Sequence, residues 1–226
     1  MPSVLFIHRS VGENLIRDGG LYRLVREAGA QFTLTDFNQN THVLRSAQGT
    51  RKIFWKFPGN DTTPADFAEL FSFEKQQASD PTLTEIMQHD IIIIKSCYPN
   101  SNLKNEEELE AAQKHYQFIV SFFNVQPTKK LVILTSPPLV PLKTNLENAA
   151  RARALASWLS DNTLAKNVFV FNLFDALAVS PDGKQPNLLK KSFRRKLPWD
   201  AHPNELASRT IAPKLVNFLQ TAVHTP

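Results

Sequence analysis

The sequence predicts an α/β domain, a three-layer α/β/α sandwich around five parallel strands. Two observations carry that expectation. Five short runs rich in apolar and β-branched residues recur, at 4–8, 32–37, 90–95, 130–135 and 167–172, with helical patterns between them. Several of these runs are apolar without a break, as in Ile91-Ile92-Ile93-Ile94, Leu131-Val132-Ile133-Leu134 and Val168-Phe169-Val170-Phe171. Unbroken apolar runs suit strands buried on both faces, hence a parallel sheet with helices on each side. Repeated strand-helix alternation then implies a doubly wound sheet.

Each element has its own local signal. The first strand is followed by His8-Arg9-Ser10-Val11-Gly12, with a helix expected to start near Gly12. The second is followed by the long, weakly periodic stretch 39–61, which reads as a functional loop. Phe54, Trp55, Phe57, Phe67, Phe71 and Phe73 cluster around that loop, mostly as packing residues. Asp80-Pro81 pairs an N-cap acceptor with a proline at the first helical position. Asn105 before Glu106-Glu107-Glu108 places a cap and three acids where the helix dipole favours negative charge. The helix that follows, to about residue 125, lines up Leu109, Ala112, Tyr116, Ile119, Val120 and Phe123 on one face. A further helix spans 145–158, and a closing helix covers 205–222 with Pro213 as an expected kink. No linker rich in Gly or Ser divides the chain, so residues 1–226 are expected to form a single domain.

Composition removes several function classes. One cysteine excludes an intramolecular disulfide and a Cys-based zinc site, which agrees with a reducing compartment. No apolar run approaches the length of a membrane span, and Ser3-Val4-Leu5-Phe6-Ile7 reads as a strand, not a leader; the expected location is cytoplasmic. The net charge is +5, with the excess concentrated in 184–196, where Lys184, Lys190, Lys191, Arg194, Arg195 and Lys196 meet no acid. Such a run can attract phosphate-rich partners, but no aromatic platform beyond Phe193 interleaves it, which argues against nucleic acid. No Gly-rich turn follows the first strand, so neither a dinucleotide nor a P-loop site is expected.

Ligands of open α/β sheets bind beyond the carboxyl ends of the strands. The segments there are rich in Ser, Asn, His and Asp: His8 to Asn14, Asn38 to His42, Ser96 to Asn102, Ser136-Pro137-Pro138, and a late Trp199-Asp200-Ala201-His202-Pro203-Asn204. These are the residue types acyl transfer needs. A serine hydroxyl becomes a useful nucleophile when an imidazole takes its proton, and a carboxylate fixes that imidazole's tautomer. The oxyanion that develops needs fixed donors. Ser10 at a strand-to-helix turn has its own N–H at the positive helix end, and Gly12 leaves room for substrate. Taken alone, Ser10 also suits a helix cap, Asn100 a turn after Pro99, and Cys97 a small buried hydrophobe. His8 reads as a structural residue at the strand end, and Arg9 either binds an anionic group or pairs with an acid. Trp199 is the aromatic placed to border the site. The other histidines show no ligand spacing, so no metal is expected.

With these residues in view, the chain resembles the SGNH/GDSL hydrolase superfamily, in particular a bacterial branch whose first block reads His-x-Ser-x-Gly. His8-Arg9-Ser10-Val11-Gly12 matches that block, and Asp200-Ala201-His202-Pro203-Asn204 resembles the last. Asn187-Leu188-Leu189, Phe193-Arg194 and Arg151-Ala152-Arg153 extend the similarity over almost the whole chain. The resemblance implies an SGNH/flavodoxin-like fold, Ser10 as nucleophile, His202 as base and Asp200 as its orienting acid. It implies Asn100 as the oxyanion-hole asparagine, with Asn102 as alternate, and Asn40, or Asn38 close behind, as a second donor. Two departures stand out: one residue instead of two separates the acid from the histidine, and no Gly-x-Asn-Asp follows the third strand. Residues two apart in an extended segment point to one side, so Asp200 and His202 can still pair. The expected activity is cofactor-free hydrolysis of a small acyl ester, such as acetyl, on a carbohydrate, lipid or small molecule. The alternative is a catalytically silent carbohydrate- or metabolite-binding domain of the same fold.

Overall fold

The computed structural model describes residues 1–161 and 165–224. Five strands run parallel where the apolar runs place them: β1 (Ser3–His8), β2 (Thr33–Asn38), β5 (Ile91–Lys95), β6 (Lys130–Leu134) and β7 (Val168–Phe171). Two further strands, β3 (Val43–Ser46) and β4 (Gly49–Lys52), extend the sheet to seven in the order β4-β3-β2-β1-β5-β6-β7. The expectation of five parallel strands is therefore corrected to a seven-stranded mixed sheet. The hairpin lies inside 39–61, the stretch read as a loop, and pairs antiparallel to β2 through Asn38↔Val43 and Asp36↔Arg45. Its sequence hides it. All four β4 residues are exposed, so no core-facing alternation marks the strand. Gly49, at φ 136°, takes a backbone conformation at the turn that side chains rarely adopt. Arg51 and Lys52 leave a charged outer edge, which discourages pairing with another chain.

Alternate residues of the central strands feed two cores, which is why their runs are apolar throughout. Val4, Phe6, Ile91, Ile93, Val132 and Leu134 face α1 (Ser10–Arg17), α2 (Leu21–Glu27), α8 (Leu173–Leu177) and α9 (Glu205–His224). Leu5, Ile7, Ile92, Ile94, Leu131 and Ile133 face α3 (Pro64–Leu70), α5 (Pro81–Ile86), α6 (Glu106–Asn124) and α7 (Leu146–Asp161). Between α3 and α5 sits the short α4 (Phe73–Gln77). Each aliphatic side chain removed from water this way contributes about 1.5–3 kcal/mol. Phe67 and Phe71 of the aromatic cluster are fully buried, Phe67 against Phe57 and Phe71, and Phe71 against Phe122 and Phe123, whereas Phe54 is exposed.

The caps form as their residue types require. The Asp80 side chain accepts from the Leu83 N–H at 3.0 Å, and that of Asn105 from Glu108 N–H at 2.9 Å. Helix α9 continues through Pro213 to His224. Among the described residues no helix is long and apolar enough to cross a membrane.

Strand β5 ends on a charged residue in the dry interior. Lys95 is fully buried, and its Nζ donates to the Ser96 carbonyl at 2.8 Å. Burial pulls its amine from 10.5 down to about 8. Between those values the folded chain binds fewer protons than the unfolded one, so stability rises with pH across that window. Lys95→Met is expected to stabilise the fold by about 2–3 kcal/mol at pH 7. Its advantage over wild type should shrink between about pH 8 and pH 10.5, measured by urea denaturation at each pH. An advantage that stays constant across the window contradicts the assignment.

Candidate active site

Helices α1 and α2 connect β1 to β2 on one face, while α6 connects β5 to β6 on the other, so the chain diverges between β1 and β5. That divergence opens a crevice at the carboxyl ends of the strands, where ligands of open α/β sheets bind. A pocket of about 390 Å³ lies there. It collects Arg9 and Ser10 after β1, Asn38, Asn40 and Thr41 after β2, Cys97 and Tyr98 after β5, and His202 from the segment before α9.

Helix α1 begins at Ser10 itself, with Arg9 in the cap position, rather than near Gly12. Ser10 therefore stands in the first turn, where backbone N–H groups have no partner within the helix and the dipole is positive. Its side chain caps nothing: among the described residues its hydroxyl makes no hydrogen bond. Gly12 is required for a different reason than substrate access. It is buried outside the pocket lining, and a Cβ there would come within 2.3 Å of the His8 side chain.

Asp200 and His202 close on each other across their single intervening residue. Asp200 Oδ1 accepts from the His202 backbone N–H at 3.0 Å and lies 2.6 Å from His202 Nδ1. Arg195 donates to the other carboxylate oxygen at 3.2 Å. Partial burial alone would raise the Asp200 pKa, but the backbone and ring hydrogen bonds of His202, with Arg195 beyond, hold it below the usual carboxylate range. The Tyr98 ring packs edge-on against the imidazole, with centroids 4.8 Å apart. Asn14 of α1 donates to the Pro203 carbonyl at 3.4 Å, tying the His202 segment to the helix that carries Ser10. Asn204 fixes the same segment from behind by donating to the Ser192 and Arg194 carbonyls. His202 Nε2 has no hydrogen-bond partner among the described residues, and none links it to Ser10.

The asparagines divide. Asn40 accepts from Arg9 at 2.8 Å, which orients its amide and leaves Nδ2 free to donate at the pocket rim. Asn38 is consumed, accepting from the Asn40 N–H and donating to Glu13. Asn100 sits in the 3-10 turn Tyr98–Ser101, and its amide donates to the Cys97 carbonyl at 3.1 Å. It lines neighbouring pockets and not this one, because the turn after Pro99 aims it back at its own backbone. Asn102 accepts from Asn148 at 2.9 Å and is likewise outside. Arg9 binds the Asn60 carbonyl and the Asp61 carboxylate, so it pairs with an acid. Trp199 is turned to solvent and does not line the pocket.

Beneath the pocket lies a charged network that reading the motifs alone misses. His8 is fully buried, with Nε2 2.8 Å from Asp36 Oδ2 and Nδ1 3.0 Å from the Arg9 carbonyl. Both nitrogens face acceptors, which leaves neither available as a base. Arg45, from the overlooked hairpin, donates to Asp36 at 2.7 Å and forks onto both oxygens of Glu13. The Tyr22 hydroxyl lies 2.8 Å from both Asp36 Oδ1 and the Arg45 carbonyl and can donate to one of them. Burial would raise the Asp36 pKa, but the hydrogen bonds from His8, Arg45 and Tyr22 outweigh it and hold the carboxyl down. Arg45 does the same for Glu13. The ligating atoms of His8, Glu13 and Asp36 lie within 4.8 Å of one another, a composition that could suit a metal ion. Here the Arg45 guanidinium already supplies the balancing cation. An Asp inside the second buried strand was the available signal.

No family model matches the chain, and no curated protein matches it. Two solved structures share its architecture. One is a candidate acylhydrolase from Bacteroides fragilis, with TM-score 0.54 and 11% identity, matched over 97% of this chain and 88% of the other. The second, a candidate platelet activating factor from Streptococcus pneumonia, gives TM-score 0.51 and 14% identity over 96% and 84%. At these identities the likeness is one of fold.

Proposed function

We propose that the chain is a serine esterase of the SGNH kind that hydrolyses small acyl esters, with Ser10 as nucleophile, His202 as base and Asp200 as the acid that orients it. One observation carries the reading: an imidazole held through Nδ1 by a carboxylate presents a free Nε2 to the same pocket as a serine at a helix N-terminus. The acylhydrolase description of the Bacteroides fragilis structure agrees with it.

In the reaction, His202 Nε2 takes the Ser10 proton as Oγ attacks the ester carbonyl carbon. The negative oxygen of the tetrahedral intermediate is met by the Ser10 backbone N–H and by Asn40 Nδ2. Asn100 joins them only if its amide leaves the Cys97 carbonyl. Collapse expels the alcohol, which takes the proton from His202. Water, deprotonated by the same imidazole, then attacks the acyl-enzyme; the acyl–Oγ bond breaks, the imidazolium returns the proton to Ser10 Oγ, and the carboxylic acid is released. Asp200 stays ionised through the neutral range because its pKa is held low, so the imidazolium formed in each step has its counter-charge. A pocket of about 390 Å³ has room for a small ester substrate.

The competing reading, a silent carbohydrate- or metabolite-binding domain, draws on the unbonded Ser10–His202 pair and the turned Asn100. Hydrolysis of p-nitrophenyl acetate separates the two. Wild type should turn over, and His202→Gln should lose about 10⁴–10⁶-fold in kcat. Equal rates in the two proteins would place the chemistry elsewhere.

A further inference from the structure

Apart from Arg195, which donates to Asp200, the basic run before that residue is not used by the proposed chemistry, and the structure gives it an unusual neighbour. Lys196-Leu197-Pro198-Trp199 are four consecutive exposed residues, with Leu197 51% and Trp199 59% accessible. Across a groove of about 310 Å³ that Lys191 and Arg195 also line, Leu142 is 67% accessible. The exposure is not that of a loose tail, because the Asn204 amide bonds to the Ser192 and Arg194 carbonyls pin the segment. Lys191 and Lys196 have no acidic partner among the described residues. Large apolar side chains held in water beside unpaired lysines mark an interaction surface.

We propose that this face, built on Leu142, Lys191, Lys196, Leu197 and Trp199, docks on the surface of an anionic lipid bilayer and sets the pocket mouth against it. Charge complementarity selects the partner's sign: each lysine near such a surface strengthens attachment roughly fivefold. The apolar tips select lipid over a polyanion in water, since Leu142 and Leu197 gain nothing from phosphate alone but enter the headgroup–acyl boundary. Trp199 suits that boundary, with an apolar ring and one N–H to satisfy. Trp199 directly precedes Asp200 in the chain, and Arg195 of the groove wall bonds the Asp200 carboxylate, so docking brings bilayer esters near the site. This last step rests on the esterase reading; the docking does not.

The test uses the full chain with phosphatidylcholine vesicles, with and without phosphatidylglycerol, followed by co-sedimentation and tryptophan emission. Binding is expected to be at least about tenfold tighter to the anionic vesicles and to weaken with salt. Emission should shift to the blue, and Trp199→Phe should lose the shift. Leu142→Ser with Leu197→Ser should weaken binding about tenfold while leaving p-nitrophenyl acetate hydrolysis unchanged. Lys191→Gln with Lys196→Gln should weaken it and flatten the salt dependence. Ser10→Ala should bind vesicles as wild type does, so loss of hydrolysis and loss of docking are read separately. Absence of binding to anionic vesicles overturns the proposal. So does binding indifferent to the leucine substitutions, or tighter binding to a single-stranded oligonucleotide than to the vesicles.

Discussion

Replacing Ser10 with alanine is expected to lower kcat/KM for a p-nitrophenyl ester by about 10⁴–10⁶-fold while leaving the fold intact. The hydroxyl bonds to nothing among the described residues and caps no helix, so its removal costs little stability. Melting temperatures of the two proteins should agree within a few degrees, since a surface change without such partners alters stability by about 0.5 kcal/mol or less. Residual activity would come from the oxyanion donors and from binding alone. A large loss of stability together with activity would mean that Ser10 holds the turn and is not a nucleophile. The size of the effect follows from chemistry: alanine cannot form the acyl-enzyme, so the reaction must fall back on direct attack by water.

The second large effect concerns stability. Asp36→Ala is expected to destabilise the protein by about 3–5 kcal/mol, because it leaves His8, Arg45 and Tyr22 without the carboxylate they converge on. For a chain of this size that corresponds to a fall of about 10 °C or more in Tm. The pH dependence has a definite sign. The folded Asp36 pKa lies below its unfolded value, so its stabilisation is present above the ordinary carboxylate pKa and is lost as pH falls through the folded value. Wild type and variant should therefore differ by the full amount above about pH 4 and converge in stability as the pH falls below it. A gap that widens on acidification would contradict the network. Because His8 also bonds the Arg9 carbonyl, next to Ser10, the variant should lose activity as well, partly rescued by Asp36→Glu if that side chain can reach His8.

These two residues differ in how far the sequence reveals them. Ser10 is legible because it sits in a short polar block at the end of an apolar run, which puts it at the carboxyl edge of a parallel sheet, and His202 because its polar block stands directly before the closing helix. The single-residue spacing of Asp200 and His202 is legible too, since their pairing needs only local geometry. Asp36 is harder to see, because one acid inside Thr33–Asn38 has no sequence neighbour that explains it. Its partners come from strand β1, helix α2 and strand β3, and only the folded sheet assembles them. The hairpin is hidden for the opposite reason: β4 is an exposed polar edge strand, and burial, the main source of periodicity, never acts on it. Asn100 shows the limit of block matching. The residue stands after the expected strand, but the 3-10 turn there decides where its amide points.

Treating the folded protein with a fluorophosphonate and mapping the adduct by peptide mass spectrometry asks whether Ser10 is an activated nucleophile in a pocket shared with His202. That role predicts one stoichiometric adduct, on Ser10, formed far more slowly in His202→Gln and Asp200→Asn. Folded wild-type protein that stays unlabelled, or carries its adduct on another residue, would contradict it.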